Sequence, residues 1–255
     1  MSGKTSNPID MAHLLLAFFI IGALWQAASM VLNKPLLPAP YRVCQTWYAL
    51  MTTGVLWPHI ASSLYRMACG LALALVTAVP TGIAAGRSHR WDALLSPFLY
   101  IFYSIPNIPK VVFLPVIIVV LGLGDFPKIF IIAITVFFQI AIMVRDAAKA
   151  IPEEQVMTMR SLCGTKWQNF RHLIWPACLP GILTALRTSL GIALALLFIT
   201  ETFAAFSGLG YFIMNRMEVR NYEEMYAAIL TLAAIGIIAY MALDIAERKL
   251  CPWKK

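Results

Sequence analysis

The sequence predicts an all-α integral membrane protein: six transmembrane helices and one short two-helix loop on the cytoplasmic side. Three observations lead there. Of 255 residues, 60% are hydrophobic and only 13% charged, against about 45–50% and about 25% in a soluble domain. The apolar residues fall in six runs, each close to or beyond the roughly 20 residues that cross a bilayer. The basic residues collect in the loops of one side of that arrangement. The net charge of +8 follows from this loop distribution. It is not one basic face of the kind that grips phosphate backbones, so nucleic acid is excluded as a partner and the lipid bilayer is the expected one.

The first run covers about Met11–Val31. Lys4 before it and Ala27-Ala28 near its end admit a cleaved signal peptide, but a signal's apolar core is only about 7–15 residues, which favours a retained span. Asn33 to Trp57 follows, with Pro35, Pro38 and Pro40 among Tyr41, Trp47, Tyr48 and Trp57. That mixture suits an interfacial loop, where aromatic rings settle at headgroup depth. The second span is expected over about Pro58–Gly86 and ends in Gly82-Ile83-Ala84-Ala85-Gly86, small residues at the spacing that lets helices approach closely.

The third span, about Ala93–Leu121, carries Pro97, Pro106, Pro109 and Pro115. Each proline removes a backbone donor, so this span is expected to break or kink near Ser104–Pro109. Gly122-Leu123-Gly124-Asp125 turns the chain into a fourth span at about Lys128–Val144. The fifth and sixth are expected at about Ile182–Phe206 and Met225–Ala246, joined by a loop from Ser207 to Glu224. In domain terms, residues 1–57 form an N-terminal span with an interfacial segment, 58–250 the core with its polar loop at 145–180, and 251–255 a basic tail. Six spans place both termini on one side. That side's loops hold twelve Lys and Arg, Arg87, Arg145 and Lys166 among them, against five, including Arg42 and Arg220, on the other. The positive-inside rule makes the richer side, and both termini, cytoplasmic.

The polar region Arg145–Pro180 reads as two helices around a glycine. Pro152 and Glu153-Glu154 suit a helix start, because the dipole favours negative charge in the first turn. Val156, Met159 and Cys163 share a face, and Gly164 is expected to stop the helix in a left-handed conformation. Thr165 and Gln168 then form the S/T-x-x-E/Q capping pattern. Trp167, Phe170 and Ile174 line one face, and Pro176 and Pro180 are expected to end this second helix. Such an apolar stripe either fills a partner's groove or lies on the membrane or the chain's own spans.

Three cations fall inside spans. Arg66 and Arg187 lie near span ends, from which long side chains snorkel, and Arg66 is also a candidate for a solute path. Lys110 sits near mid-membrane beside Pro109, where a charge costs about 2.5–3.5 kcal/mol unless it faces a pathway or a partner. It reads either as a path residue or as one half of an ion pair with Glu201. The five cysteines and four histidines are scattered, with no CxxC or HExxH. No GxxxxGK[ST] motif occurs. No cofactor or catalytic constellation is expected.

Residues Met157 to Pro176 (MTMRSLCGTKWQNFRHLIWP) resemble the cytoplasmic "EAA" signature of ABC importer permeases. Ala177–Arg187 and Ser207-Gly208-Leu209-Gly210-Tyr211 resemble the same family. The similarity covers roughly residues 58–250 and is nearest the sulfonate, taurine and nitrate branch, related to some thiamine-precursor permeases. It implies the type I importer fold, in which the polar loop supplies coupling helices to a separate ATPase. On these positions the coupling residues would be Arg160, Gly164, Trp167, Phe170, Arg171, Ile174 and Pro176. It further implies a homodimer with two ATPase copies and an extracytoplasmic substrate-binding protein, in a bacterial plasma (inner) membrane. ATP would be hydrolysed outside this chain and a small, anionic solute carried through it. The signature glutamate falls on Met157, its alanines on Thr158 and Met159, and its glycine on Cys163, with Gly164 one place later. The alternative from another class is a self-sufficient secondary transporter or channel. Such folds show paired broken helices, and the one broken span has no evident twin here.

Overall fold

The computed structural model describes residues 11–32, 34–104, 110–162, 164–203 and 205–254. Among them there are helices and turns and no strand. The chain forms two compact units, Met1–Trp57 with Phe212–Thr231, and Pro58–Tyr211 with Leu232–Lys255.

In the first unit, α1 (Met11–Leu32) is a 22-residue apolar helix, about 33 Å long at 1.5 Å per residue. The segment expected as an interfacial loop contains a second helix, α2 (Pro40–Thr52). Of its prolines, Pro40 occupies the first helical position, where the missing N–H costs nothing. The region expected as a loop from Ser207 to Glu224 likewise holds a helix, α10 (Leu209–Glu218), and the last helix, α11 (Tyr222–Leu250), begins inside it. Within this unit the Trp47 indole donates to Thr231 Oγ1 at 3.0 Å. The Trp25 and Tyr226 rings lie 5.7 Å apart.

The second unit is built on α3 (Leu56–Arg87) and α6 (Phe126–Lys149). Searched over the described residues alone, four helical segments are long and apolar enough to cross a membrane: α3, α6, Lys166–Thr202 and α11. The apolar window of α6 is 61% buried, the largest share of the four, which makes α6 the central helix. Its close approach to α3 depends on a stripe at every fourth residue: Gly70, Ala74, Ala78, Gly82 and Gly86. A Cβ at Gly82 would lie 2.7 Å from the Ala141 carbonyl oxygen, and one at Gly86 2.6 Å from that of Arg145. The Gly82–Gly86 pair is thus a packing device that brings two backbones into contact.

The third span is described in separate pieces: α4 (His89–Ser104), then a 3-10 turn, Lys110–Phe113, followed by α5 (Leu114–Leu121). The expected break at Ser104–Pro109 lies largely in residues 105–109, outside the described residues. Gly122 at φ +83° and Gly124 at φ +153° then turn the chain into α6.

The polar loop holds α7 (Glu153–Ser161), ending two residues before the expected Cys163, which is outside the described residues. The second helix does not end at Pro176. α8 (Lys166–Asn169), a π-turn (Phe170–Ile174) and α9 (Trp175–Thr202) form one continuous 37-residue helix. Proline at 176 cannot donate to the carbonyl one α-turn back. The π-turn shifts the register so that the Trp175 N–H reaches Phe170, and the helix passes Pro176 without terminating.

A buried polar knot ties the far end of α9 to α3. Arg66, 2% exposed, and Glu201, 1% exposed, pair at 2.7 Å. Arg66 also donates to Asp125 Oδ1 at 2.7 Å, to the Ser207 carbonyl at 2.7 Å and to Ser207 Oγ at 2.8 Å. Glu201 accepts from Ser63 Oγ at 2.8 Å and from the Gly210 N–H at 2.9 Å. Ser63 Oγ in turn accepts the Leu209 N–H at 2.8 Å. Gly208, at φ +112°, and Gly210 bring their backbones against Glu201: a Cβ at Gly208 would collide with the carboxylate, and one at Gly210 with the Glu201 Cβ and the Phe198 carbonyl. Arg66 therefore does not snorkel. Arg187, part-exposed, pairs with Asp244 and Glu247 near the end of α11 and lies 5.4 Å from the Tyr240 ring centroid.

Removing one partner of a buried ion pair strands the other charge, at about 3–5 kcal/mol. Arg66→Met and Glu201→Ala are each expected to lower the thermal midpoint of the detergent-purified chain sharply and to reduce its folded yield. Exchanging charges between Lys110 and Glu201 is expected to give no rescue. An unchanged midpoint in both single variants, measured by size exclusion after heating, contradicts the assignment of the knot.

Candidate functional site

The expected coupling segment is an elbow projecting from the second unit. On α7, Val156 is buried against the core while Met157, at 60% exposure, faces outward. Gly164 closes this arm: its N–H donates to the Met159 carbonyl at 3.2 Å. A side chain there would meet that same oxygen at 3.1 Å, so the glycine serves a close approach.

The second arm starts with the capping box read from the sequence. Thr165 Oγ1 accepts the Gln168 N–H at 3.3 Å, and Gln168 Oε1 accepts the Thr165 N–H at 2.8 Å. This satisfies two donors that a helix start otherwise leaves bare. The stripe expected on one face divides between two roles. Phe170 and Ile174, with Leu173, pack against the chain's own core. Trp167 stays 65% exposed, stacked on Phe170 with ring centroids 5.8 Å apart. The inner residues anchor the elbow, and Trp167 with Met157 and Leu162 presents apolar surface outward. Arg171 is exposed, and Pro176 lies half-buried within the continuous helix. Arg160 lies on α7, and its side chain is outside the described residues.

At the base of α7 lies a charge cluster that the sequence reading passed over. Asp92 accepts from Arg145 Nε at 2.7 Å, from Lys149 Nζ at 2.6 Å and from Ser96 Oγ. The Arg145 bond, and after it those of Lys149 and Ser96, hold the Asp92 carboxyl well below the usual carboxylate range. Arg145 also donates to the Tyr100 hydroxyl at 2.9 Å. These bonds fasten the start of α4 to the end of α6, beside a cavity of about 460 Å³ lined by Ser88, His89, Glu153 and Met157. The available signal was the spacing of Arg145 and Lys149, one helical turn apart, with Asp92 the only acid between the second and third spans.

The three path candidates separate. Arg66 and Glu201 belong to the buried knot, paired with each other, so Glu201 is not the counter-ion of Lys110. Lys110 is half-buried at the start of the 3-10 turn, its Nζ 4.7 Å from the centroid of the Phe138 ring. Phe138 stacks in turn on Phe102 at 4.9 Å. A cation over an aromatic face is attracted by the ring's quadrupole and needs no carboxylate. Among the described residues no group of three or more His, Cys, Asp and Glu is arranged to hold a metal.

Comparison with known proteins bears on the whole assembly of these parts. The family described as "Binding-protein-dependent transport system inner membrane component" matches residues 78–252. The taurine transport system permease protein TauC of Escherichia coli (strain K12) is 29% identical over 235 residues, 90% of this chain and 84% of that protein. The putative aliphatic sulfonates transport permease protein SsuC of Bacillus subtilis (strain 168) is 31% identical over 247 residues, 96% and 88% of the two chains. Among solved structures, the MetNI methionine ABC transporter in an inward-facing conformation aligns with a TM-score of 0.64 at 21% identity. That alignment covers 77% of this chain and 98% of the other and shows a shared fold. With the apolar spans and the continuous elbow described and this extent of similarity in place, the chain belongs to the family of binding-protein-dependent transport system inner membrane components, the membrane-spanning permease subunits of ABC transporters.

Proposed function

We propose that this chain, paired with a second copy, forms the path of an ATP-driven importer for a small organic anion of the sulfonate class. Two copies of a separate ATPase seat on the elbows, and a substrate-binding protein delivers solute from outside. Both termini face the cytoplasm, in keeping with the bias of twelve basic residues to five across the loops. The observation that carries the reading is the elbow: an internally capped helix start with an exposed Trp167, continuous with α9. An exposed aromatic on a fixed base is the form of an interface anchor. The sulfonate class is supported by the names of the relatives and by a cation, Lys110, near the expected mid-membrane break.

Trp167→Ala is expected to weaken co-purification of the ATPase by about 1–3 kcal/mol, with the chain still inserted and folded. Gly164→Pro removes the N–H that closes α7 on Met159 and is expected to uncouple ATP hydrolysis from transport. Normal ATPase recovery and normal uptake in both variants contradict the coupling role.

Lys110 is expected to offer a weak positive site along the path, since a deep well would not release its solute. Lys110→Ala should lower the uptake rate with assembly and basal ATPase activity intact. Lys110→Arg should keep part of the rate and Lys110→Glu almost none. Unchanged uptake in Lys110→Ala, measured with labelled solute in membrane vesicles, removes Lys110 from the path.

A further inference from the structure

The first unit contains a cavity of about 660 Å³ that the transport reading does not use. It lies where α1 ends and where α2 and α11 begin, and Gln26, Lys34, Arg42, Arg220, Asn221 and Glu223 are among its lining residues. Three cations thus face one carboxylate. Glu223 is committed to Arg42 at 3.7 Å and to the Thr46 hydroxyl at 3.4 Å. The side chains of Lys34 and Arg220 have no ion-pair partner among the described residues. The cavity therefore carries uncompensated positive charge, and the first turn of α2, which no side chain caps, opens on it.

The depth of this cavity is set by the residues around it. α1 is long enough to cross the roughly 30 Å hydrocarbon core, and the cavity sits at its C-terminal end. Tyr41, Tyr48 and Trp57 are 61%, 67% and 59% exposed on the same segment, as in an interfacial aromatic belt. The last turns of α1 leave Met30, Val31 and Leu32 exposed, with Val31 at 85%. A basic hollow at headgroup depth, flanked by an uncovered apolar helix face, matches a molecule with an anionic head and hydrocarbon tails.

We propose that this cavity is a binding site for the phosphate of an anionic phospholipid headgroup, with the acyl chains laid along the exposed end of α1. Lys34, Arg42 and Arg220 supply the positive charge, Gln26 and Asn221 supply amide donors, and Glu223 limits the affinity so that lipid exchanges. The site is independent of solute transport and does not depend on which leaflet holds it. The concave shape and the apolar flank favour a lipid over the carboxylates of a docked protein, which would meet a flatter surface.

The full chain can be equilibrated in phosphatidylcholine vesicles with and without phosphatidylglycerol, extracted in mild detergent, and its retained lipid read by native mass spectrometry. Phosphatidylglycerol should be retained in preference to phosphatidylcholine. Retention should fall about five-fold for each cation removed in Arg42→Ala and Arg220→Ala, with Lys249→Ala unchanged. Glu223→Gln should raise it, which keeps the test open even if an alanine variant fails to fold. Equal retention of the two lipids, or no response to the three cavity variants, overturns the proposal. So does displacement of lipid by millimolar inorganic phosphate, which would make the ligand a free anion. Loss of binding-protein capture in the variants with lipid retention unchanged would assign the cavity to a protein partner and overturn it as well.

Discussion

Glu201 is a carboxylate at the end of a transmembrane helix with almost no access to solvent, and it is held there by Arg66, Ser63 and the Gly210 amide. Each charge is tolerable only because the others are in place. A lone one at that depth would cost several kcal/mol. The knot fixes three otherwise independent pieces: α3 through Ser63 and Arg66, the turn before α6 through Asp125, and the chain after α9 through Ser207 to Gly210. It also explains the two glycines in Ser207-Gly208-Leu209-Gly210, whose bare backbones are what the carboxylate can approach.

From that anchor the rest of the second unit follows. α3 lies against α6 along its small-residue stripe, and α6 packs on α9, where Gly181 admits the Ala147 methyl. α9 belongs to the continuous helix Lys166–Thr202, about 55 Å long at 1.5 Å per residue. One end of that rod bears the Trp167 elbow and the other leads to Glu201. Under the proposed coupling, a displacement at the elbow would be carried along this one helix to the knot. The π-turn at Phe170–Ile174 is where the rod departs from α-geometry, next to Pro176. Beside the start of α7, Asp92 with Arg145 and Lys149 fastens the start of α4 to the end of α6.

The long apolar runs made α3, α6, α9 and α11 readable from the sequence, because nothing but a bilayer-length helix buries so many consecutive apolar residues. The capping box was readable too, since Thr165 and Gln168 act locally. What escaped was whatever depends on partners distant in the chain. Arg66 and Glu201 stand 135 residues apart, and a sequence displays charges without pairing them, so Lys110 looked like the nearest mate for Glu201. α2 and α10 escaped for another reason. They are short and mixed in polarity, and the prolines before α2 read as loop punctuation when Pro40 is in fact its first residue. Pro176 misled in the same way: proline ends a helix only if the register cannot shift to spare the missing donor.

The central claim is that this chain is a conduit whose motion is driven from outside it, through the elbow. Purified chain, ATPase and binding protein reconstituted together in vesicles should accumulate a labelled sulfonate such as taurine. Uptake should require both ATP and the binding protein, and the chain alone should give none under any imposed proton or sodium gradient. Gradient-driven uptake by the chain alone would contradict the account and make it a self-sufficient transporter.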